Sequence, residues 1–426
     1  MRMNTKKLLF LLVSSLYALY IFIPLILGVT GVTINLISIV VTVLLVILNP
    51  KALYNKTFLW FCVYVIVLLL YLMVGKVLSL PGVMYMSEIN KLITEIAMIL
   101  PSILIFFGLI YHKDLKLIKN IAITSLLATL FTFVLLIPLI IVDSNILRFS
   151  LASDFRDIYK WMPTYPAMHS YVIVLPALLY VVKYAKGWFK FAFIASTTLY
   201  VYIIFNTSIT TSLLIAMLIL GFFFLYKNNL QKTGLIIGLV VLLIFFLHVS
   251  NLLIHVFDFG LTITEDTYSV GKFEGFRDSY LTGIKSSSMA IRDDLHNISF
   301  RSFLRNPIWG GNIEKIDLTL DASDVVASSN SVIGGHSSLI DRLGGMGLLG
   351  FIPFIMIIIT SIKTWKTFFH SRNAWYFYCV GLGAAGILLY TKGLFGQEGW
   401  FTMIVYLPAL ILFGSNYISK KLEKRV

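Results

Sequence analysis

Residues 118–142 read IKNIAITSLLATLFTFVLLIPLIIV, and apart from Lys119 near its start the stretch carries no charge. As a helix it would rise about 37 Å at roughly 1.5 Å per residue, enough to cross the roughly 30 Å of hydrocarbon in a bilayer. Eleven further apolar runs of comparable character fall at 8–27, 32–48, 57–75, 92–110, 167–183, 188–206, 208–226, 233–250, 339–362, 374–391 and 400–415. The expected fold is therefore an all-α polytopic membrane protein of about twelve transmembrane helices. Two longer polar stretches, 143–166 and 251–338, interrupt the series.

Composition agrees. Of 426 residues, 58% are hydrophobic and only 13% charged, and the mean hydropathy is +0.90. That leaves too little polar surface to solvate a water-soluble globule of this length. The formal charge of +14 would suggest nucleic acid in a soluble protein, but in a membrane protein it has to be divided between the two faces. No nucleic-acid partner is expected. Cys62 and Cys379 each sit inside an apolar run, so we expect buried packing residues and neither a disulfide framework nor a metal cluster. Arg2, Lys6 and Lys7 followed by a run to Leu27 resemble a signal peptide, but the run exceeds a signal's apolar region. It is expected to be an uncleaved first helix.

Lysine and arginine resist translocation and so report orientation. With an even number of spans and the N-terminus inside, the inner segments hold 20 basic and 2 acidic residues, a net +18. The outer segments and outer helix halves hold 14 basic and 18 acidic residues, a net −4. Both termini are thus expected in the cytoplasm. The chain then divides into an N-terminal bundle, 1–250, a large extracytoplasmic loop, 251–338, and a C-terminal set of helices with a short tail, 339–426. Within the loop, Leu281, Ile284, Ser288, Ile291, Leu295 and Ile298 recur at helical spacing, which predicts amphipathic helices lying on the bundle, stopped by Pro307 and the pair Gly310-Gly311.

Several local signals carry chemistry. Gly345-Met-Gly347-Leu-Leu-Gly350 matches a dinucleotide fingerprint but lies in an apolar span without a preceding strand; close helix packing explains its glycines. Lys91 and Glu95 stand four residues apart in the fourth span, where each charge is costly alone; they either pair or bind a charged substrate. His169 and His248 read as packing or interfacial residues. The outer segments gather Arg148, Arg156, Lys160, Arg277, Arg292, Arg301, Arg305 and Arg342 on the side where positive charge is least favoured. Guanidinium groups present a planar fork suited to phosphate oxygens, so a diphosphate at the membrane surface is the expected partner.

Two settings stand out: Arg292 to Pro307, RDDLHNISFRSFLRNP, followed by Gly310-Gly311, and His336 to Gly347, HSSLIDRLGGMG. Here the chain resembles the bacterial O-antigen and capsular polysaccharide polymerases and their relatives the O-antigen ligases. In that family a large outer loop carries an Arg, about fifteen residues of amphipathic helix, a Pro and a glycine turn. A His then opens the next span, with a Gly about eleven residues later. The family's His-Asn is His336-Ser here, an acidic residue before the last Gly is replaced by Gly345, and Thr207 to Ser212 lacks the family's mid-chain Arg.

The resemblance implies a glycosyltransferase that joins polyprenyl-diphosphate-linked oligosaccharide repeats on the outer face of the cytoplasmic membrane, without metal or other cofactor. Its partners would be that lipid-linked glycan, the bilayer, a flippase and a chain-length regulator. It implies Arg292, with Arg277 or Arg156 and supported by Lys160, at the diphosphate, where charge builds as the lipid departs. His336 would act on the acceptor hydroxyl as base or orienting partner, with Asp341 as the alternative base. Tyr159, Trp161, Tyr165 and Trp309 can stack on sugar faces or serve as interfacial aromatics. A ligase with the same chemistry and a different acceptor, and a lipid-linked oligosaccharide transporter, are the competing readings.

Overall fold

The computed structural model describes residues 5–26, 34–77, 89–143, 146–149, 162–207, 209–225, 253–264, 270–283, 287–310, 337–369, 371–391 and 395–423. They are almost entirely helical, with no strand among the described residues. In chain order the helices are α1 (Thr5–Phe22), α2 (Ile34–Leu48), α3 (Lys56–Val77), α4 (Ile89–His112), α5 (Leu115–Val142), α6 (Tyr165–Tyr184), α7 (Trp188–Asn206) and α8 (Thr210–Leu225). Three loop helices follow, α9 (Leu253–Thr264), α10 (Val270–Thr282) and α11 (Ser287–Arg305), then α12 (Ser338–Lys366) and α13 (Arg372–Thr391). Finally α14 (Gly396–Phe401) runs through a π-helical turn (Thr402–Tyr406) into α15 (Leu407–Glu423).

Among the described residues, nine helical segments are long and apolar enough to cross a membrane, and α2 and α8 are apolar but shorter. Eleven of the twelve expected runs fall on these helices, while the run at 233–250 lies outside the described residues. Hydropathy does not tell central helices from peripheral ones, and the packing does. In α6 and in the segment Gly396–Ser415, 89% and 94% of the spanning window is buried, against 33% in α7. These two form the centre, where polar side chains are shielded from lipid: His169 bonds Ser212 Oγ at 2.9 Å and stacks on Tyr165. The Tyr200 and Tyr406 hydroxyls meet at 3.1 Å. Pro408 has no N–H to offer back along its helix, and the Ile404 carbonyl instead accepts the Trp365 indole N–H at 2.7 Å.

Contacts sort the helix ends into two levels. Lys7 pairs with Asp114 at 3.2 Å, Thr57 donates to Thr360 at 2.8 Å and Tyr180 meets Ser415 at 2.8 Å. At the opposite level, Gln397 donates to Asn35 and Asn35 to Thr94, and Tyr71 reaches Trp309 and Met346. Asp114 caps α5 by accepting from Lys116 N at 3.0 Å. Burial by itself would push its carboxyl up, but the Lys116 N–H and the Lys7 ammonium outweigh this and hold it below the usual carboxylate range.

The cysteine expectation needs correcting: Cys62 is half-buried and Cys379 is exposed on its helix, both as free thiols. A free cysteine behaves as a small hydrophobe, so the outward face of a spanning helix accommodates it.

Candidate functional site

Within the polar stretch 251–338 the described residues form helices up to Arg305, but the periodic stretch 281–298 is divided. Gly283 adopts φ 69°, ending α10, and α11 begins at Ser287. α9 and α10 pack on each other through Phe257, Phe273, Phe276 and Tyr280. Among the described side chains of α11 the buried ones are Leu295, Ser299 and Ser302, one stripe at spacings of four and three. Phe300, Arg301, Leu304 and Arg305 face outward, as does the following pair Ile308 and Trp309.

The buried stripe lies against the start of α12. Ser337 caps that helix, its hydroxyl accepting from Ile340 N at 3.1 Å. Asp341 accepts from Ser337 N at 3.0 Å and from Ser299 Oγ at 2.7 Å. One turn further, Ser302 Oγ donates to the Gly344 carbonyl at 3.3 Å. Both pairs are separated by 42 residues, so α11 and α12 run parallel in constant register. Gly344 permits the approach: a Cβ there would stand 2.4 Å from the Ser299 carbonyl oxygen.

The register ends in a backbone joint. Gly347 breaks α12 with φ 54° and ψ −160°, a conformation open to glycine. The break takes the Leu348 and Leu349 N–H groups out of the helix ladder, and they donate to Pro307 O at 2.8 Å and Ile308 O at 3.1 Å. Tyr71 of α3 closes the joint, its hydroxyl lying 2.6 Å from Trp309 O and 2.8 Å from Met346 O. Backbone groups released by the kink thus find partners in the turn after α11, as buried polar groups must. The glycine string 345–350, expected to serve helix packing, does so by admitting backbone: a Cβ on Gly347 would stand 2.5 Å from Ile308 O and Gly310 N.

Below the joint is an ion pair that spans 247 residues of sequence. Arg342 Nη2 donates to Glu95 Oε1 at 2.7 Å and Oε2 at 2.9 Å. Its Nη1 donates to Ser338 O at 3.1 Å and Nε to Tyr64 Oη at 3.3 Å. The guanidinium lies 4.5 Å from the Phe354 ring centroid. Every guanidinium nitrogen is therefore engaged, which corrects the inclusion of Arg342 among arginines awaiting an anion. Glu95 is held by a residue from α12; the Lys91 side chain, its expected partner, lies outside the described residues.

The other expected site residues divide as follows. Arg292 lies on α11, one turn before Leu295, with its side chain outside the described residues. His336, Arg156 and Lys160 also lie outside them, as do Tyr159, Trp161 and His248. Arg277 donates from Nε to Asp258 Oδ1 at 2.7 Å, across the α9–α10 pair. Asp341 is buried and caps α12. No cluster of three or more His, Cys, Asp or Glu side chains suited to a metal occurs among the described residues.

No family model matches this chain, and no curated protein matches it. The site therefore has to be read from its own geometry. Sequence reasoning missed Tyr71 as the clamp and Glu95–Arg342 as a pair. The only trace of either was their improbability, a charge within an apolar span at each end of the pair.

Proposed function

We propose that this protein is a membrane glycosyltransferase that polymerises polyprenyl-diphosphate-linked oligosaccharide repeats into a surface polysaccharide. One observation carries the reading. The described parts of the two segments singled out by the resemblance, α11 up to Gly310 and α12 from Ser337 onward, pack in parallel and are joined where Leu348 N and Leu349 N donate to Pro307 O and Ile308 O. Ser299 pairs with Asp341, so one turn earlier Leu295 is level with Ser337. Arg292 is one turn before Leu295, and His336 is the residue bonded to Ser337.

On this reading Arg292 meets the departing diphosphate, whose growing negative charge a preorganised guanidinium stabilises. His336 takes or orients the proton of the acceptor hydroxyl attacking the anomeric carbon. Asp341, committed to the cap and to Ser299, positions the segment carrying His336. Arg277 reaches the diphosphate only by exchanging Asp258, which is half-exposed. The outward stripe Phe300, Leu304 and Ile308 with Arg301 and Arg305 suits a helix lying in the interface beside anionic headgroups. The chain would sit in the cytoplasmic membrane with both termini inside and 251–338 outside.

The test is a glycan ladder. A deletion strain is complemented with wild type, Arg292→Ala or His336→Ala at matched membrane levels, and its surface polysaccharide is resolved on a gel. Wild type is expected to restore a ladder, while deletion and both variants leave single repeats on the usual acceptor. Long chains retained on the carrier lipid would replace this reading with a ligase, and repeats trapped on the inner face would replace it with a transporter.

A further inference from the structure

Between α8 and α13 lies a groove that the proposed chemistry does not use. Ile215, Leu218 and Phe222 of α8 line one wall and Tyr376, Val380 and Gly383 of α13 the other, with Ile387 at the far end, around a space of ≈ 200 Å³. These positions recur every three or four residues, so each helix turns one stripe into the groove. The walls expose almost no polar atom. Leu218 is 53% and Ile387 42% exposed, so the groove opens outward from the bundle, toward lipid. Gly383 gives it width, since a Cβ there would meet nothing within 4 Å.

Charge distinguishes one end. Beside Phe222 and Tyr376, the rings of Phe223 and Phe377 lie 6.4 Å apart, and the Lys183 ammonium of α6 stands 5.9 Å from the Phe223 ring centroid. Arg372 opens α13 and is exposed. Lys366, the exposed last residue of α12, sets its ammonium 5.5 Å from the Trp375 ring centroid. Three helices thus each bring a cation to the level where the groove begins. From Tyr376 to Ile387 the groove follows about 16 Å of helix at roughly 1.5 Å per residue, close to half of the roughly 30 Å of hydrocarbon in a bilayer. That is the depth of one leaflet. An acyl chain hung from a headgroup at the cationic end fills this length, and a headgroup phosphate there suits lysine and arginine. Lys366 ends α12 away from Ser338, so a lipid held here carries its phosphate on the side opposite the proposed glycosyl-transfer site, which separates it from the polyprenyl donor.

We infer that the groove between α8 and α13 holds one acyl chain of an anionic phospholipid whose phosphate is met by Lys183, Lys366 and Arg372. The chain fills the gap between two helices whose rings meet at Phe223 and Phe377, and so ties α8 to the bundle. The site stands independently of the glycosyltransferase reading.

The test is photo-crosslinking of the full-length protein in mixed micelles with phosphatidylglycerol that carries a diazirine on one acyl chain, followed by peptide mapping. Label is expected on 215–222 and 376–387, in excess over the exposed α7 positions Trp188 and Phe191. Unlabelled phosphatidylglycerol should displace it, and phosphatidylcholine should compete more weakly. Gly383→Leu puts a side chain into the open space of the groove and should keep its Tm while losing the label. Lys366→Gln with Arg372→Gln leaves the groove intact, and should weaken competition by phosphatidylglycerol about fivefold per charge; this pair decides the matter if Gly383→Leu does not fold. Equal labelling of α7 and the groove, undiminished label in folded Gly383→Leu, or equal competition by the two phospholipids would overturn the site. Displacement by a polyprenyl diphosphate at lower concentration than by phosphatidylglycerol would also overturn it and assign the groove to the donor lipid.

Discussion

Removing the charge of Arg342 while keeping its length, as in Arg342→Met, should be among the most destabilising single changes in the bundle. The two side chains are 6% and 11% exposed, so water screens the pair little. At 2.7 Å the Coulomb attraction is about 6 kcal/mol for an effective dielectric constant of roughly 20. Desolvation of both ions offsets most of this in the intact pair. The single variant loses the attraction without recovering the desolvation of Glu95, and a buried ion stripped of its partner typically costs about 3–5 kcal/mol. Glu95→Leu should cost a similar amount by stranding the guanidinium. The double variant strands neither, and should lie within about 2 kcal/mol of wild type. Reversible unfolding in mixed detergent would measure all four proteins, with an expected coupling of at least about 3 kcal/mol. The reasoning fails if either single variant lies within about 1 kcal/mol of wild type, or if the two effects simply add.

Three further outcomes follow from the geometry. Gly347→Ala places a Cβ against Ile308 O and Gly310 N at a positive φ, and should cost about 1–3 kcal/mol from backbone conformation alone; hydrogen exchange should rise across 295–310, and a normal exchange pattern would dismiss the joint. Tyr71→Phe leaves the Trp309 and Met346 carbonyls without their hydroxyl donor, worth about 1–3 kcal/mol, and should expose the same segment to protease without altering α1 or α5. Asp114, whose folded carboxyl lies below its unfolded value, contributes stability that is present above the ordinary carboxylate range and lost as pH falls through its folded value. Asp114→Asn, which can still cap α5, should therefore lower Tm slightly at pH 7, by less in high salt, and merge with wild type near pH 2.

Membrane character and the positions of the spans were open to reading from residues alone, because a spanning helix must satisfy its own backbone and show apolar side chains for about twenty residues. Pro307 and the Gly310 turn were legible as a stop because proline and glycine act on the chain locally. Gly283, which splits the loop helix in two, was obscured by an apolar period that continued through the break. Pairings were another matter. Nothing along the chain ties Arg342 to Glu95 or Tyr71 to the 306–310 turn, since each depends on which helices become neighbours. Hydropathy ranks α6 and α7 alike, at 1.5 each, yet one is the buried centre and the other lies at the lipid-facing edge. Lipid and protein interior are similarly apolar, so average composition does not separate them; the polar groups do, and only the tertiary structure decides where they meet.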